Sequence, residues 1–132
     1  ELLRDSDYVS VHVPLTDATR NLISARTLRL MKPGAYLINT SRGPIIDEAA
    51  LVQALQEKWI AGAALDVLVE EPGTLDNPLF ALDNALITPH ASFYSEAAIE
   101  ELQHKAVERV LTALRGETPI NVVNPAVLDR PD

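Results

Sequence analysis

The chain contains no cysteine. That excludes a disulfide scaffold and any cysteine-ligated metal site, and it fits a cytoplasmic protein. Basic charge is short as well: 11 Lys and Arg stand against 19 Asp and Glu, a formal charge of −8. Nucleic acid and anionic membrane surfaces call for clustered cations, so neither is expected as a partner. No apolar run is long enough to span a bilayer, and no signal-peptide pattern is present. An initiating Met is missing too: the chain opens at Glu1, on what reads as the end of a helix, and runs directly into a strand. It is therefore expected to be a piece of a longer protein. What is there suits a single domain: 132 residues, 47% of them hydrophobic, are enough to build a core.

The chain is organised around Ala35–Asp47. Its apolar run, Ala35-Tyr36-Leu37-Ile38, turns polar at once into Asn39-Thr40-Ser41-Arg42-Gly43-Pro44. A buried parallel strand ends in this way, its polar residues emerging at the sheet edge where ligands bind. β-Branched and aromatic residues predict an earlier strand over 7–13, stopped by Pro14. Two further strands are predicted, over 59–67, with small residues at its centre, and over 85–89. Helices are predicted over 24–30, with Ser24 or Thr27 as cap, over 48–58, capped by Asp47, and over 94–114, capped by Ser95 and followed by Gly116. A short helical turn is expected at 77–80 and an extended tail at 125–132. Strands alternate with helices, so the fold class is α/β, with a mostly parallel sheet and right-handed connections.

Arg42, Asp66, Glu71 and His90 each fall at or just beyond a strand end. Strand C-termini share one edge of a parallel sheet, so these side chains converge there although they are far apart in sequence. His90 is suited to exchange a proton near neutral pH, and a neighbouring Glu71 would favour its imidazolium. Such a pair suits carbonyl reduction, in which a proton reaches the oxygen as hydride reaches the carbon. The planar guanidinium of Arg42 suits bidentate binding of a carboxylate, and Asp66 is suited to accept a hydrogen bond from an amide. Each residue also has a plainer reading: a surface Arg near a turn, a strand-end turn former, a solvated acidic loop at Glu70-Glu71-Pro72, a His at a helix entry. Their joint placement at successive strand ends favours a site. His12 and His104 read as structural or surface residues, and no metal site is predicted.

Four ordered stretches resemble the D-2-hydroxyacid dehydrogenase family, specifically the second half of its dinucleotide-binding domain. They are His12-Val13-Pro14-Leu15-Thr16, then Leu37-Ile38-Asn39-Thr40-Ser41-Arg42-Gly43, then Ala61 through Val67 with Glu70-Glu71-Pro72, and Thr88-Pro89-His90. The resemblance covers roughly 3–124 and implies a partial Rossmann-like, doubly wound parallel sheet of about four strands with flanking helices. It implies an NAD-dependent oxidoreductase that moves hydride between nicotinamide and a small D-2-hydroxy or 2-keto acid. The residue that would separate NAD from NADP is absent from the chain. By resemblance, Arg42 binds the substrate carboxylate and carbonyl, His90 is the acid/base, Glu71 is its partner and Asp66 binds the nicotinamide carboxamide. Val13, Pro14, Leu15, Thr16, Thr19, Thr40 and Ser41 would line the cofactor, with Arg42, His90, Ala91 and Ser92 at its nicotinamide end. His90-Ala91-Ser92-Phe93-Tyr94-Ser95-Glu96 is most similar to the C-terminal binding protein branch. Phosphoglycerate and glyoxylate/hydroxypyruvate dehydrogenases are the other near relatives. That branch supplies the alternative to an enzyme, an NAD(H)-sensing, corepressor-like binding or scaffold module.

No G-x-G-x-x-G is present, nor the acidic residue that follows it to bind ribose, and the family's substrate domain is missing. The resemblance thus assigns 1–124 to the C-terminal half of a dinucleotide-binding domain and 125–132 to an extended tail. It implies that the chain by itself is inactive. In the family the strand before Pro14 pairs with the glycine-turn strand. Its edge would be bare here, so a homodimer or aggregation through Tyr8–Val13 is expected.

Overall fold

The computed structural model describes residues 1–129. Four parallel strands, β1 (Tyr8–Val11), β2 (Tyr36–Asn39), β3 (Gly62–Leu65) and β4 (Ala85–Ile87), lie in the order β1-β2-β3-β4. Val11 pairs with Asn39, Asn39 with Leu65 and Leu65 with Ile87. The strand ends are therefore level, and the residues that follow them emerge side by side.

Three strands are shorter than expected; β4 ends at Ile87, before Thr88 and Pro89, because the Thr88 hydroxyl turns to Asp66 and Pro89 has no N–H to pair. β1 stops at Val11 because its partner Asn39 ends β2 there, turning the Ser41 amide onto its own side chain at 3.0 Å. β3 begins late because the Trp59 amide turns back to the Ala54 carbonyl, at 2.8 Å, and it ends where Asp66 opens the next loop.

Helices α1 (Leu2–Asp5), α2 (Ala25–Leu28) and α3 (Glu48–Gln56) connect or precede the strands. Of the two expected caps of α2, Ser24 takes the cap position, and Thr27 supports it from the first turn, its hydroxyl accepting the Ser24 amide at 2.7 Å. Asp47 caps α3 by accepting the Ala50 amide at 3.1 Å. The α3 stripe Ala50, Leu51, Ala54 and Leu55 is buried, as its spacing predicts. With Leu28, Leu37, Ile45, Ile60 and Leu79 it forms the core. Leu79 enters from a 3₁₀ turn at Pro78–Ala81, one residue beyond the turn expected there.

The chain divides into two compact units, the first of which is Glu1–Ser92. The second, from Phe93 onward, holds α4 (Glu96–Leu114), capped by the Ser95 hydroxyl, which accepts the Ala98 amide at 3.1 Å. Gly116, at φ +76°, follows its end. No residue of α4 is buried. The extended tail expected at 125–132 needs correction: Pro125–Asp129 is a 3₁₀ turn, since Pro125 presets a helical φ and the Val127 amide reaches the Asn124 carbonyl at 3.0 Å. Residues 130–132 of that expected tail lie outside the described residues. Among the described residues no helix is long and apolar enough to cross a membrane.

Candidate active site

The loop after β2 is shaped by a buried side chain. Asn39 accepts the Ser41 amide and donates from Nδ2 to the Arg42 carbonyl, each at 3.0 Å. The Ser41 hydroxyl donates back to Val11 at 2.8 Å. Arg42 leaves this turn exposed, its Nη1 donating to the Ser41 carbonyl at 2.7 Å. Gly43 is required next to it, because the Leu68 carbonyl occupies the space a Cβ would need. That close approach brings Arg42 beside the loop after β3.

Asp66 opens that loop and is 4% exposed. Its Oδ1 accepts the Thr88 hydroxyl and the Ala91 amide, the latter at 2.9 Å, and its Oδ2 accepts the Ser92 amide at 2.9 Å. Burial alone would push this carboxyl up. The bonds from Thr88, Ser92 and Ala91 outweigh it and hold the group well below the usual carboxylate range. Both oxygens are thus engaged in fixing the turn that carries His90. His90 itself sits at φ +53°, a left-handed conformation that needs such support. Its amide is held by the Asp66 and Thr88 carbonyls at 2.9 and 3.0 Å.

Glu71 completes the arrangement. Its Oε1 accepts the Leu68 amide at 2.8 Å, and its Oε2 meets His90 Nδ1 at 2.7 Å. Burial again pushes the carboxyl up, but the bond from His90, the Leu68 amide and the charges of His90 and Arg42 bring it below its ordinary value. Beside the pair lies a hollow of about 520 Å³, walled by Leu68, Pro72, Phe80, Ile87 and Pro89. A smaller one, about 80 Å³, is lined by Ile38, Thr40, Ala64, Leu86, Thr88 and Ser92.

Asp66, Glu71 and His90 are therefore joined by hydrogen bonds along two loops, with the charge of Arg42 acting on Glu71. Ala91 enters through its amide, Ser92 through its amide and hydroxyl, and Thr40 borders the smaller hollow. Val13, Pro14, Leu15 and Thr16 form a separate loop beyond β1. Thr19 ties that loop together, donating to the Pro14 carbonyl and accepting the Thr16 amide, each at 2.7 Å. Asn39 and Thr88 shape the site although neither stands among the expected site residues. Thr88 lies in the motif that carries His90, and Asn39 is a polar residue closing an apolar strand.

A family model described as D-isomer specific 2-hydroxyacid dehydrogenase, NAD binding domain, matches residues 1–92. A glyoxylate reductase of Thermofilum pendens is 48% identical over 127 residues, 96% of this chain and 38% of the relative. The chain thus spans well under half the length of that curated relative. Among solved structures, the NAD-complexed D-isomer specific 2-hydroxyacid dehydrogenase of Lactobacillus delbrueckii ssp. bulgaricus superposes with a TM-score of 0.84 at 38% identity, covering 93% of this chain and 42% of that one. The Aquifex aeolicus D-lactate dehydrogenase complexed with NAD and lactic acid gives 0.81 at 34% identity, covering 88% and 39%. These findings show the family without singling out the expected branch: the Thermofilum pendens relative is a glyoxylate reductase. The Phe93-Tyr94 pair behind the expected likeness to C-terminal binding proteins lies past the residues that the family model matches.

Proposed function

Because the chain belongs to the D-isomer specific 2-hydroxyacid dehydrogenase family, matching its NAD-binding domain, we propose that it serves the reversible reduction of a small 2-keto acid to the D-2-hydroxy acid. The observation that carries this reading is the His90 Nδ1–Glu71 Oε2 contact of 2.7 Å at the level strand ends. The smaller hollow on the sheet, with Thr40, Ala64 and Ser92 on its walls, fits the nicotinamide end of the cofactor. No G-x-G-x-x-G is available to cradle a pyrophosphate. When bound, the dinucleotide supplies or accepts the hydride at the substrate carbon.

His90 gives its proton to the carbonyl oxygen in reduction and recovers it in oxidation. It does so through Nε2, since Nδ1 faces Glu71. Glu71 orients the ring through its contact with Nδ1. Arg42 pairs with the substrate carboxylate through its planar fork and polarises the carbonyl. Asp66, with both oxygens engaged by the turn, serves His90 in this reading. Glyoxylate, for which the relative is named, is the first substrate to try.

In a polypeptide of the relatives' length, His90→Gln is expected to lower kcat by on the order of 100-fold or more. Arg42→Ala should chiefly raise KM. The assay is NADH oxidation with glyoxylate, pyruvate or hydroxypyruvate, and unaltered rates in both variants would sink the reading. The 132-residue chain alone is expected to show no turnover. A second proposal follows from β1, whose outer edge pairs with no strand among the described residues. We propose that the isolated chain self-associates along Tyr8–Val11; a monomer by light scattering at all concentrations overturns this.

A further inference from the structure

We infer that Glu48, at the start of α3, is a positioning residue for the His90–Glu71 pair, an inference that rests on the role proposed for that pair. Glu71 lies on a loop whose residues Val69–Pro72 and Thr74–Asp76 are exposed. An exposed loop of turn formers opens easily and does not by itself hold a carboxylate in one place. This loop is held at both ends by one side chain. Glu48 Oε2 accepts the Val69 amide at 3.0 Å, and its Oε1 accepts Asn77 Nδ2 at 2.9 Å. Asn77 then accepts the Leu79 amide at 2.9 Å, which ties the far end to a fully buried residue.

At the near end two successive amides are divided between two carboxylates: Leu68 donates to Glu71 and Val69 to Glu48. The bond to Glu48 fixes the peptide whose neighbour orients Glu71. Glu48 is itself well anchored. It stands in the first turn of α3, where the helix favours negative charge, and the helix is held by its buried stripe. The chain of support runs from the core through α3 and Glu48 to the loop, then to Glu71, then to His90.

If Glu48 merely stabilised the start of a helix, its loss would lower stability and leave Glu71 alone. The titration of Glu71 separates the two roles, because its carboxyl is brought below the ordinary range by His90, the Leu68 amide and Arg42. The experiment follows the Glu71 side-chain carbon by NMR against pH in the 132-residue chain, for Glu48→Ala and Glu48→Gln. Glu48→Ala should move the Glu71 titration up toward the ordinary carboxylate range. Glu48→Gln, which keeps one acceptor oxygen, should move it by a smaller step. An unmoved titration in both variants overturns the inference. Should Glu48→Ala fail to fold, Glu48→Gln decides: an upward shift supports the inference, and no shift overturns it. In a polypeptide of the relatives' length, kcat should fall on the order of tenfold with KM little changed. Failure of the proposed function shows separately, as full activity in His90→Gln.

Discussion

The two ends of the sheet use polar side chains in different ways. At the C-terminal ends of the strands, Asn39, Asp66, Glu71 and Glu48 each accept a backbone amide. At the N-terminal ends, Asn84 donates to the Leu55 and Ala61 carbonyls, but the charged groups meet other side chains in solvent. Lys32 pairs with Asp7 at 2.8 Å, and Arg29 lies 3.6 Å over the Trp59 ring. A side chain that accepts backbone amides dictates where the chain runs, and removing it leaves buried donors unmatched. A pair of solvated side chains dictates little. The same residue types thus shape a site at one end and decorate a surface at the other.

Gly43→Ala should break this contrast most severely. The added methyl has no room beside the Leu68 carbonyl, and backbone does not yield as a flexible side chain does. A loss of about 3 kcal/mol is expected by urea unfolding, together with separation of Arg42 from the Glu71 loop. A loss under about 1 kcal/mol would mean that the 68–71 loop moves freely, against the picture of a fixed site.

Asp66→Asn comes next. Asn offers one acceptor oxygen where Asp66 offers two, and its amide would face the donors of the turn. A loss of about 2 kcal/mol is expected, with the His90 turn released from its left-handed conformation. A cost near zero would show that the turn needs no such anchor.

Acid should discriminate the two ends as well. Asp66 and Glu71 titrate below their ordinary values in the folded chain. Their contribution is therefore present in full above the unfolded carboxylate value, about 4, and drains away as pH falls through the depressed folded values. Unfolding midpoints should be flat from neutral pH to about 5 and should fall below about 4. Asp66→Asn should flatten that fall. Glu71→Gln should do so less, because its side chain is 35% exposed and screened by solvent. A fall of equal steepness in Asp66→Asn would remove Asp66 as its cause.

Much of this was legible in the sequence, for local reasons. Asp47 and Ser95 cap helices through amides three residues on, and the α3 stripe follows helical spacing. The convergence of Arg42, Glu71 and His90 follows from strand ends sharing an edge. What was not legible depends on distant partners. Asp66 is committed by residues 22 to 26 positions away, and Glu48 by residues 21 and 29 away. Nothing near either residue in the chain signals that use. β1 stops where its neighbour turns, which is a property of the pair of strands and not of its own residues.

The smallest effect belongs to the N-terminal edge, and it sharpens the contrast. In the Lys32–Asp7 pair the side chains are 40% and 72% exposed, so water competes for both charges. Lys32→Ala should cost about 0.5 kcal/mol or less and should matter less still in high salt. The cleaner measure is the coupling in a double-mutant cycle. Lys32 with Asp7 should couple by about 0.3 kcal/mol, whereas Thr88→Val with Asp66→Asn should couple by about 1 kcal/mol or more. Asp66 is buried where it accepts the Thr88 hydroxyl, and the two share a turn; Lys32 and Asp7 share only a separation that each can leave. Equal couplings would mean that the C-terminal edge is no more constrained than the surface, and the positioning role given to Asp66 would fall with that result.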